Sequence, residues 1–483
     1  MMINDYKKKI DDVENKLGTM VDQKLKFKNP SKEQAVVVAV VNDCIDLIEE
    51  IQRSLYAFEV AYESLGNAVS FRPTYYYENI ILQDDMIWER IILLVGIVDR
   101  LDVNIIFERK SIDCLYALIK KHRGTSDGIV ADLIRINGDS DKNKNKKKRN
   151  NNEHGISTHL ENREIAEDIE SFIFIKNDHL EADMAVWQQI SDRHYKSALE
   201  EMKKNIPAIK TRQDIYIQLI EKIINELYVK NAECKFDCAD KFLCANVVCN
   251  CNFVNEALLL ERNYMSLREK HRKIIDGINE HCLCICDEAG FIRNTLLTDA
   301  IFRAKEIIRS VNLYICCLNY NINKKIRCDF SEEDFYKLLN NEVIMPDCYL
   351  FHAYIKTYSV CEKVAKFMLC KYDFNHKYTT MNDLKNMYVE DIIAKIDEMH
   401  ITSESIELFK RIMKGEVYSH YEKMRNLEYH CLRQQYLWGR EQIESIRLGE
   451  SYEVYLLLSE LYLLLACLVD EEGRILSEQV RKK

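Results

Sequence analysis

The amino-acid sequence predicts an all-α protein, and two observations carry that prediction. The first is the scarcity of turn-forming residues: 13 Gly and 4 Pro in 483 residues, about 3.5%, where average usage is about 12%. All-β sandwiches and barrels need these residues at many turns, and nucleotide-binding α/β folds need glycines at their phosphate turns. No G-x-G-x-x-G or G-x-x-x-x-G-K-[ST] motif occurs.

The second observation is that apolar residues recur at helical spacing along most of the chain. Stripes of this kind run through residues 45–58, 301–311 and 455–465. Such spacing gives a helix one apolar face that packs against a core. A hydrophobic content of 47% is sufficient for a substantial core.

An internal repeat organises these helices. Residues 43–54 share six identities, without a gap, with residues 299–310, which lie 256 positions later. Residues 88–91 resemble residues 361–364 at a separation of 273. Separations that grow along the chain are expected if the second copy contains a longer loop.

The repeat therefore predicts two up-and-down helical bundles related by duplication. The alternating charges at the start of the chain predict a solvated helix there, and a Cys-rich region lies between the two bundles. The predicted parts are an N-terminal helix at 1–29, a first helical domain at 30–228, a helical linker at 229–287 and a second helical domain at 288–483.

Both halves contain the hexapeptide Arg-Asn-x-x-x-His, at residues 149–154 and 425–430, 276 positions apart. On a helix, Asn and His four residues apart share a face, and the Arg lies at its edge. Arginine offers a fork of donors for a phosphodiester, and histidine exchanges a proton near neutral pH. The candidate catalytic residues are Arg149, Asn150, His154, Arg425, Asn426 and His430.

Two facing copies of this motif suit RNA cleavage without a metal or another cofactor. One histidine would remove the proton of the 2′-hydroxyl, and the other would protonate the leaving 5′-oxygen. The paired arginines would stabilise the charge of the transition state. Dependence on the 2′-hydroxyl restricts this chemistry to RNA.

An Arg-polar-x-x-x-His motif late in a helical bundle resembles the HEPN (higher eukaryotes and prokaryotes nucleotide-binding) superfamily, over about 350 residues as two copies. Many members are metal-independent endoribonucleases in toxin–antitoxin, abortive-infection or CRISPR systems, with an active site where two domains pair. The resemblance implies RNA as substrate, a role in phage defence or as a toxin, and a regulatory or antitoxin protein as partner. It is also compatible with a homodimer.

The first-half motif has a rival and an unusual setting. Residues 149–154 follow a Lys-rich run in low-complexity polar sequence, which predicts a solvated loop before the motif. Residues 176–179, Lys-Asn-Asp-His, lie in a segment with a more helical pattern but lack Arg and have a different spacing. If that segment is the counterpart, the first half is a degenerate copy. The alternative function is a non-catalytic helical binding or scaffold protein.

Two further sets of residues could bind metal. Eight of the 18 Cys lie between residues 234 and 286. They could bind structural zinc or remain buried reduced thiols, and a third interpretation is a metal-dependent enzyme at this cluster. The candidate ligands are these eight cysteines together with one histidine: Cys234, Cys238, Cys244, Cys249, Cys251, His281, Cys282, Cys284 and Cys286. Asp84, Asp85 and Glu89 could hold a divalent ion, although an ion pair or a solvated face is the more ordinary interpretation.

Charge and targeting signals restrict the partners and the compartment. A net charge of −10 argues against general polyanion binding, so any RNA contact must be local. Charged residues replace an apolar signal segment at the N-terminus, and charges such as Glu460 interrupt the longest apolar runs. The sequence therefore predicts a cytoplasmic protein with no membrane contact.

Overall fold

A computed structural model describes most of the chain: residues 3–25, 32–63, 73–103, 105–106, 111–154, 180–230, 253–280, 288–323, 346–373, 377–378, 381–384, 387–430, 433 and 440–482. Regular structure in these ranges is entirely helical, with no strand. The predicted all-α class is therefore confirmed.

The first half comprises α1 (Ile3–Val13), a π-helical turn (Glu14–Gly18), α2 (Thr19–Lys24), α3 (Lys32–Glu63), α4 (Pro73–Val98), α5 (Ile112–Arg123), α6 (Gly128–Asn137), α7 (Ser140–His154) and α8 (Leu180–Lys230). The second half comprises α9 (Phe253–Glu280), α10 (Glu288–Asn323), α11 (Pro346–Tyr372), α12 (Met381–Leu384), α13 (Val389–Glu398), α14 (Glu404–Met413), α15 (Glu416–His430) and α16 (Arg440–Lys482).

The two halves share a helix order. In each, a pair of long helices (α3 and α4; α10 and α11) is followed by short helices and then by a long closing helix. The closing helix α8 packs on α3, α4, α6 and α7, and α16 packs on the corresponding α10, α11, α14 and α15. Helices α6 and α14 each have 10 residues, and α7 and α15 each have 15. Both pairs begin 276 positions apart, and the duplication itself stays a prediction.

Matched sequence positions also make matched contacts between the long helices. The Arg90 Nε atom lies 2.7 Å from an Asp43 carboxylate oxygen, and the Lys363 ammonium lies 3.6 Å from Asp299. Asp43 and Asp299 are the first residues of the two repeated windows, and the two cations are 273 positions apart. Each half thus has a buried acid–base pair at the same place.

Central helix α4 is buried along its whole length. One contiguous apolar core extends through both halves, so the predicted domains pack as one body. The segment expected to be a linker includes α9, which packs on α10 and α16. The N-terminal segment, expected to be solvated, packs on α3 and buries Ile10, Val13 and Leu17, because its apolar residues share one face.

Helix α7 corrects the expectation of a loop at the Lys-rich run, because polar contacts begin and anchor this helix. The Asp139 carboxylate accepts the backbone N–H groups of Asp141 (2.8 Å) and Lys142 (3.3 Å), as an N-cap does. The Lys142 ammonium lies 3.5 Å from the centre of the Trp88 ring, and Asn145 accepts from a buried tyrosine hydroxyl of α4. Hydrophobic periodicity cannot detect anchors of this kind.

Within the described ranges, one stretch of α16, Arg447–Ile475, is long and apolar enough to cross a membrane by length and composition alone. This differs from the expectation that charges interrupt every such run. Half of its apolar window is buried inside the protein, and the core helix of a folded domain has the same properties.

The buried imidazole of His271 on α9 predicts a pH-dependent stability. Burial lowers the pKa of His271 to about 4, with a small opposing effect of Glu472. The unfolded chain, with a histidine pKa near 6.5, therefore binds this proton first, and stability is lost as the pH falls from about 6.5 towards 4. Between pH 7 and 4.5, we expect the free energy of unfolding to fall by about 2.5 kcal/mol less in His271→Gln than in the wild type. Urea unfolding of the wild type and the variant at both pH values measures this difference. An equal pH dependence of the two proteins would contradict the role given to His271.

Candidate functional site

The second-half motif occupies the last two turns of α15, which packs on α4, α11, α14 and α16. Tyrosines near the start of α15 fix its direction. The Tyr358 backbone N–H donates to the Tyr421 hydroxyl (2.8 Å), and that hydroxyl donates to the Tyr354 carbonyl. This contact joins α15 to α11, and the motif end of α15 contacts α4.

His430 meets a carboxylate of the other half. Its Nδ1 atom lies 2.9 Å from Glu89 Oε2 on α4. The Glu89 side chain is 6% exposed, whereas that of His430 is 37% exposed. A carboxylate at Nδ1 favours the tautomer with its proton there and leaves the Nε2 lone pair available. This arrangement suits an imidazole that accepts or donates a proton at the surface of the site.

Arg425 is placed differently from the sequence-based expectation of a direct phosphate contact. Its side chain is buried, and its guanidinium lies between the rings of Tyr358 (4.8 Å) and Tyr429 (4.9 Å). Its Nη1 atom donates to Asn426 Oδ1 at 3.0 Å. The Asn426 amide is thereby oriented with its Nδ2 group as a remaining donor. This geometry suits an arginine that positions the motif.

The first-half motif forms the last turns of α7. Asn150 is half-buried, and the side chains of Arg149 and His154 lie outside the described residues. Both motifs occupy positions 10 to 15 of a 15-residue helix. Helices α7 and α15 each pack against both α4 and α11. The fold thus brings the two motif helices to the same central pair of helices.

The remaining candidates have separate outcomes. Asp84, Asp85 and Glu89 are buried, and their partners are the Arg212 guanidinium (3.0 Å), the Tyr429 hydroxyl (3.2 Å) and His430. Ion pairing and hydrogen bonding, rather than a solvated face, therefore account for these carboxylates. No group of three or more His, Cys, Asp or Glu residues that could hold a metal ion occurs among the residues that the structure describes. The Cys cluster, His281 and the rival motif at 176–179 lie outside those residues.

Sequence reasoning missed the contribution of α4 to the His430 site. A usable signal was present, because the acid–base dipeptide Glu89-Arg90 recurs as Glu362-Lys363 at the matched position of the repeat. Charged residues retained inside a buried helix need specific partners. Comparison with protein-family models, curated proteins and solved structures gives no match. The function of this site is therefore inferred from its residues.

The contact between Glu89 and His430 predicts a defined imidazole tautomer. In Glu89→Gln, the acceptor charge at Nδ1 is lost, and we expect the Nδ1–H form to give way to a mixture of tautomers. Nitrogen-15 NMR of histidine-labelled protein measures this change. His420, whose Nδ1 atom contacts Glu453, is an internal control that should not change. An unaltered His430 signal in the folded variant would show that Glu89 does not set the tautomer.

Proposed function

We propose that this protein is a metal-independent endoribonuclease with His430 in its reaction centre. The observation that carries the proposal is the pairing of a partly exposed imidazole with the buried carboxylate of Glu89. Such a pair leaves Nε2 ready for proton transfer and requires no metal ligand at the site. The carboxylate comes from the first half of the chain and the imidazole from the second.

The equal lengths and positions of the two motif helices support a composite site. We infer that the halves arose by duplication and that His154, at the end of α7, supplies the second imidazole. The likeness of the motifs to those of HEPN ribonucleases points in the same direction.

The chemistry transfers two protons. One imidazole accepts the proton of the RNA 2′-hydroxyl, and the 2′-oxygen attacks the adjacent phosphorus. The other imidazole, in its protonated form, donates to the 5′-oxygen as the bond between phosphorus and that oxygen breaks. In this proposal the Asn426 Nδ2 group donates to a phosphate oxygen that gains charge. The products are a 2′,3′-cyclic phosphate and a 5′-hydroxyl.

The surface of α7 offers a local contact for RNA. Its outward side carries the exposed residues Lys144 and Lys147, whereas Lys142 is buried against α4. These cations stand on the same helix as the first-half motif, and a local basic surface is what an acidic chain needs to bind a polyanion. As further parts of the proposal, the enzyme acts in the cytoplasm in phage defence or as a toxin, alone or as a homodimer, under a regulatory or antitoxin protein.

A non-catalytic binding or scaffold protein is the second candidate, and the burial of Arg425 favours it. Arg425 as a whole is 5% exposed, and its guanidinium contacts two tyrosine rings and Asn426. In this interpretation, the contact between Glu89 and His430 serves only to attach α15 to α4.

The proposal predicts RNA cleavage in the presence of EDTA that depends on His430. We expect His430→Ala to reduce the cleavage rate by about 10²-fold or more, because it removes a proton-transfer group. His154→Ala should have an effect of similar size if the site is composite. The measurement is the appearance of 2′,3′-cyclic phosphate ends on a labelled RNA.

His420→Ala is the matched control, since His420 lies on the same helix but pairs with Glu453. An RNA with a 2′-deoxy nucleotide at the cleavage position should resist the wild-type protein. Equal cleavage by wild type and His430→Ala would remove His430 from the reaction centre. Absence of cleavage by wild type would favour the binding or scaffold protein.

A further inference from the structure

We propose that Arg90, in the middle of α4, is the positioning residue of the His430 site. It binds the open carbonyl end of α15 and thereby holds His430 beside Glu89. The catalytic consequence rests on the proposed ribonuclease function, but the positioning of the imidazole does not. The first half of the chain would then complete the site of the second half in two ways, with a carboxylate and with a guanidinium.

Each of the three nitrogens of the Arg90 guanidinium donates a hydrogen bond. Its Nη1 atom donates to the Tyr429 carbonyl at 2.7 Å, and its Nη2 atom donates to the Glu428 carbonyl. Its Nε atom donates to Asp43 Oδ2 at 2.7 Å. The last carbonyls of a helix lack partners within the helix and carry its negative dipole end. The buried Arg90 guanidinium supplies donors to two of these carbonyls and a positive charge at the negative dipole end, directly before His430.

The chain is also held just after the motif. Arg433 Nε lies 2.5 Å from Asp43 Oδ1, and Arg433 Nη1 lies 2.6 Å from Glu50 Oε1. Asp43 therefore contacts two guanidiniums. Arg90 binds the carbonyls just before His430, and Arg433 follows His430 in the chain. Burial alone would raise the pKa of Asp43, but the charges of Arg433 and Arg90 outweigh it and lower that pKa below its usual range. The chain on both sides of His430 is thus attached, through Arg90 and Arg433, to the ionised carboxylate of Asp43.

The shape of the guanidinium is essential to this role. A guanidinium directs donors to three acceptors at once, whereas a lysine ammonium is a point charge on a flexible chain. At the corresponding position of the second half, the Lys363 ammonium lies 3.6 Å from Asp299. Arg90→Lys would keep the charge and a partner for Asp43 while losing simultaneous contact with both carbonyls.

The test compares Arg90→Lys with Arg303→Met. Arg303 is also buried and also joins the two halves, through Glu78 at 3.1 Å and 3.2 Å, but this pair lies away from α15. We expect Arg90→Lys to fold, to convert His430 to the mixture of tautomers expected of Glu89→Gln, and to reduce RNA cleavage by about 10²-fold, since small displacements of a reacting group have effects of that order. Arg303→Met should keep the wild-type His430 signal and cleavage rate.

The two readouts separate this inference from the proposed function. A wild-type tautomer in folded Arg90→Lys would overturn the positioning role, whether or not the wild-type protein cleaves RNA. A changed tautomer would support that role even if the wild type proves inactive. Failure of Arg90→Lys to fold under conditions in which Arg303→Met folds would also overturn it, because Arg90 would then serve the fold as a whole.

Discussion

The structure depends on one buried charge, the carboxylate of Asp43. An isolated carboxylate in the interior would be strongly destabilising, so this group must be paired and hydrogen-bonded. Its partners are the guanidiniums of Arg90, on α4, and Arg433, which follows α15. Since one partner belongs to each half, separation of the halves would remove Arg433 from Asp43 and Glu50 and leave Asp43 with Arg90 alone. Asp43 thus contributes to the association of the halves.

The same constraint operates along the whole of α4. A helix buried on every side must satisfy its polar groups with side chains from its neighbours. Asp84 thereby attaches the closing helix α8 through Arg212, and Glu89 attaches the motif helix α15 through His430. The Glu89 contact thus both joins the two halves and orients His430 of the candidate site.

The sequence predicted the helical class because turn residues are scarce and apolar periodicity is strong. It also located the two motifs, because a repeat makes a short motif visible. It could not predict the contact between Glu89 and His430, whose residues are 341 positions apart, because periodicity identifies a buried face but not its partner. Helix α7 escaped prediction for a related reason. Its formation depends on the Asp139 cap and on the burial of Lys142, and neither produces an apolar pattern.

A tandem chain, unlike a homodimer, can alter one copy of a residue without altering the other. Arg90 and Lys363 occupy matched positions and pair with matched aspartates, and the planar guanidinium of Arg90 also binds two helix carbonyls. The end of α15 is therefore held by a fixed fork of donors, which a lysine ammonium does not have. If the halves descend from one bundle, this difference makes their motifs inequivalent. The two histidines of a composite site would then have distinct surroundings, which general acid and general base roles require.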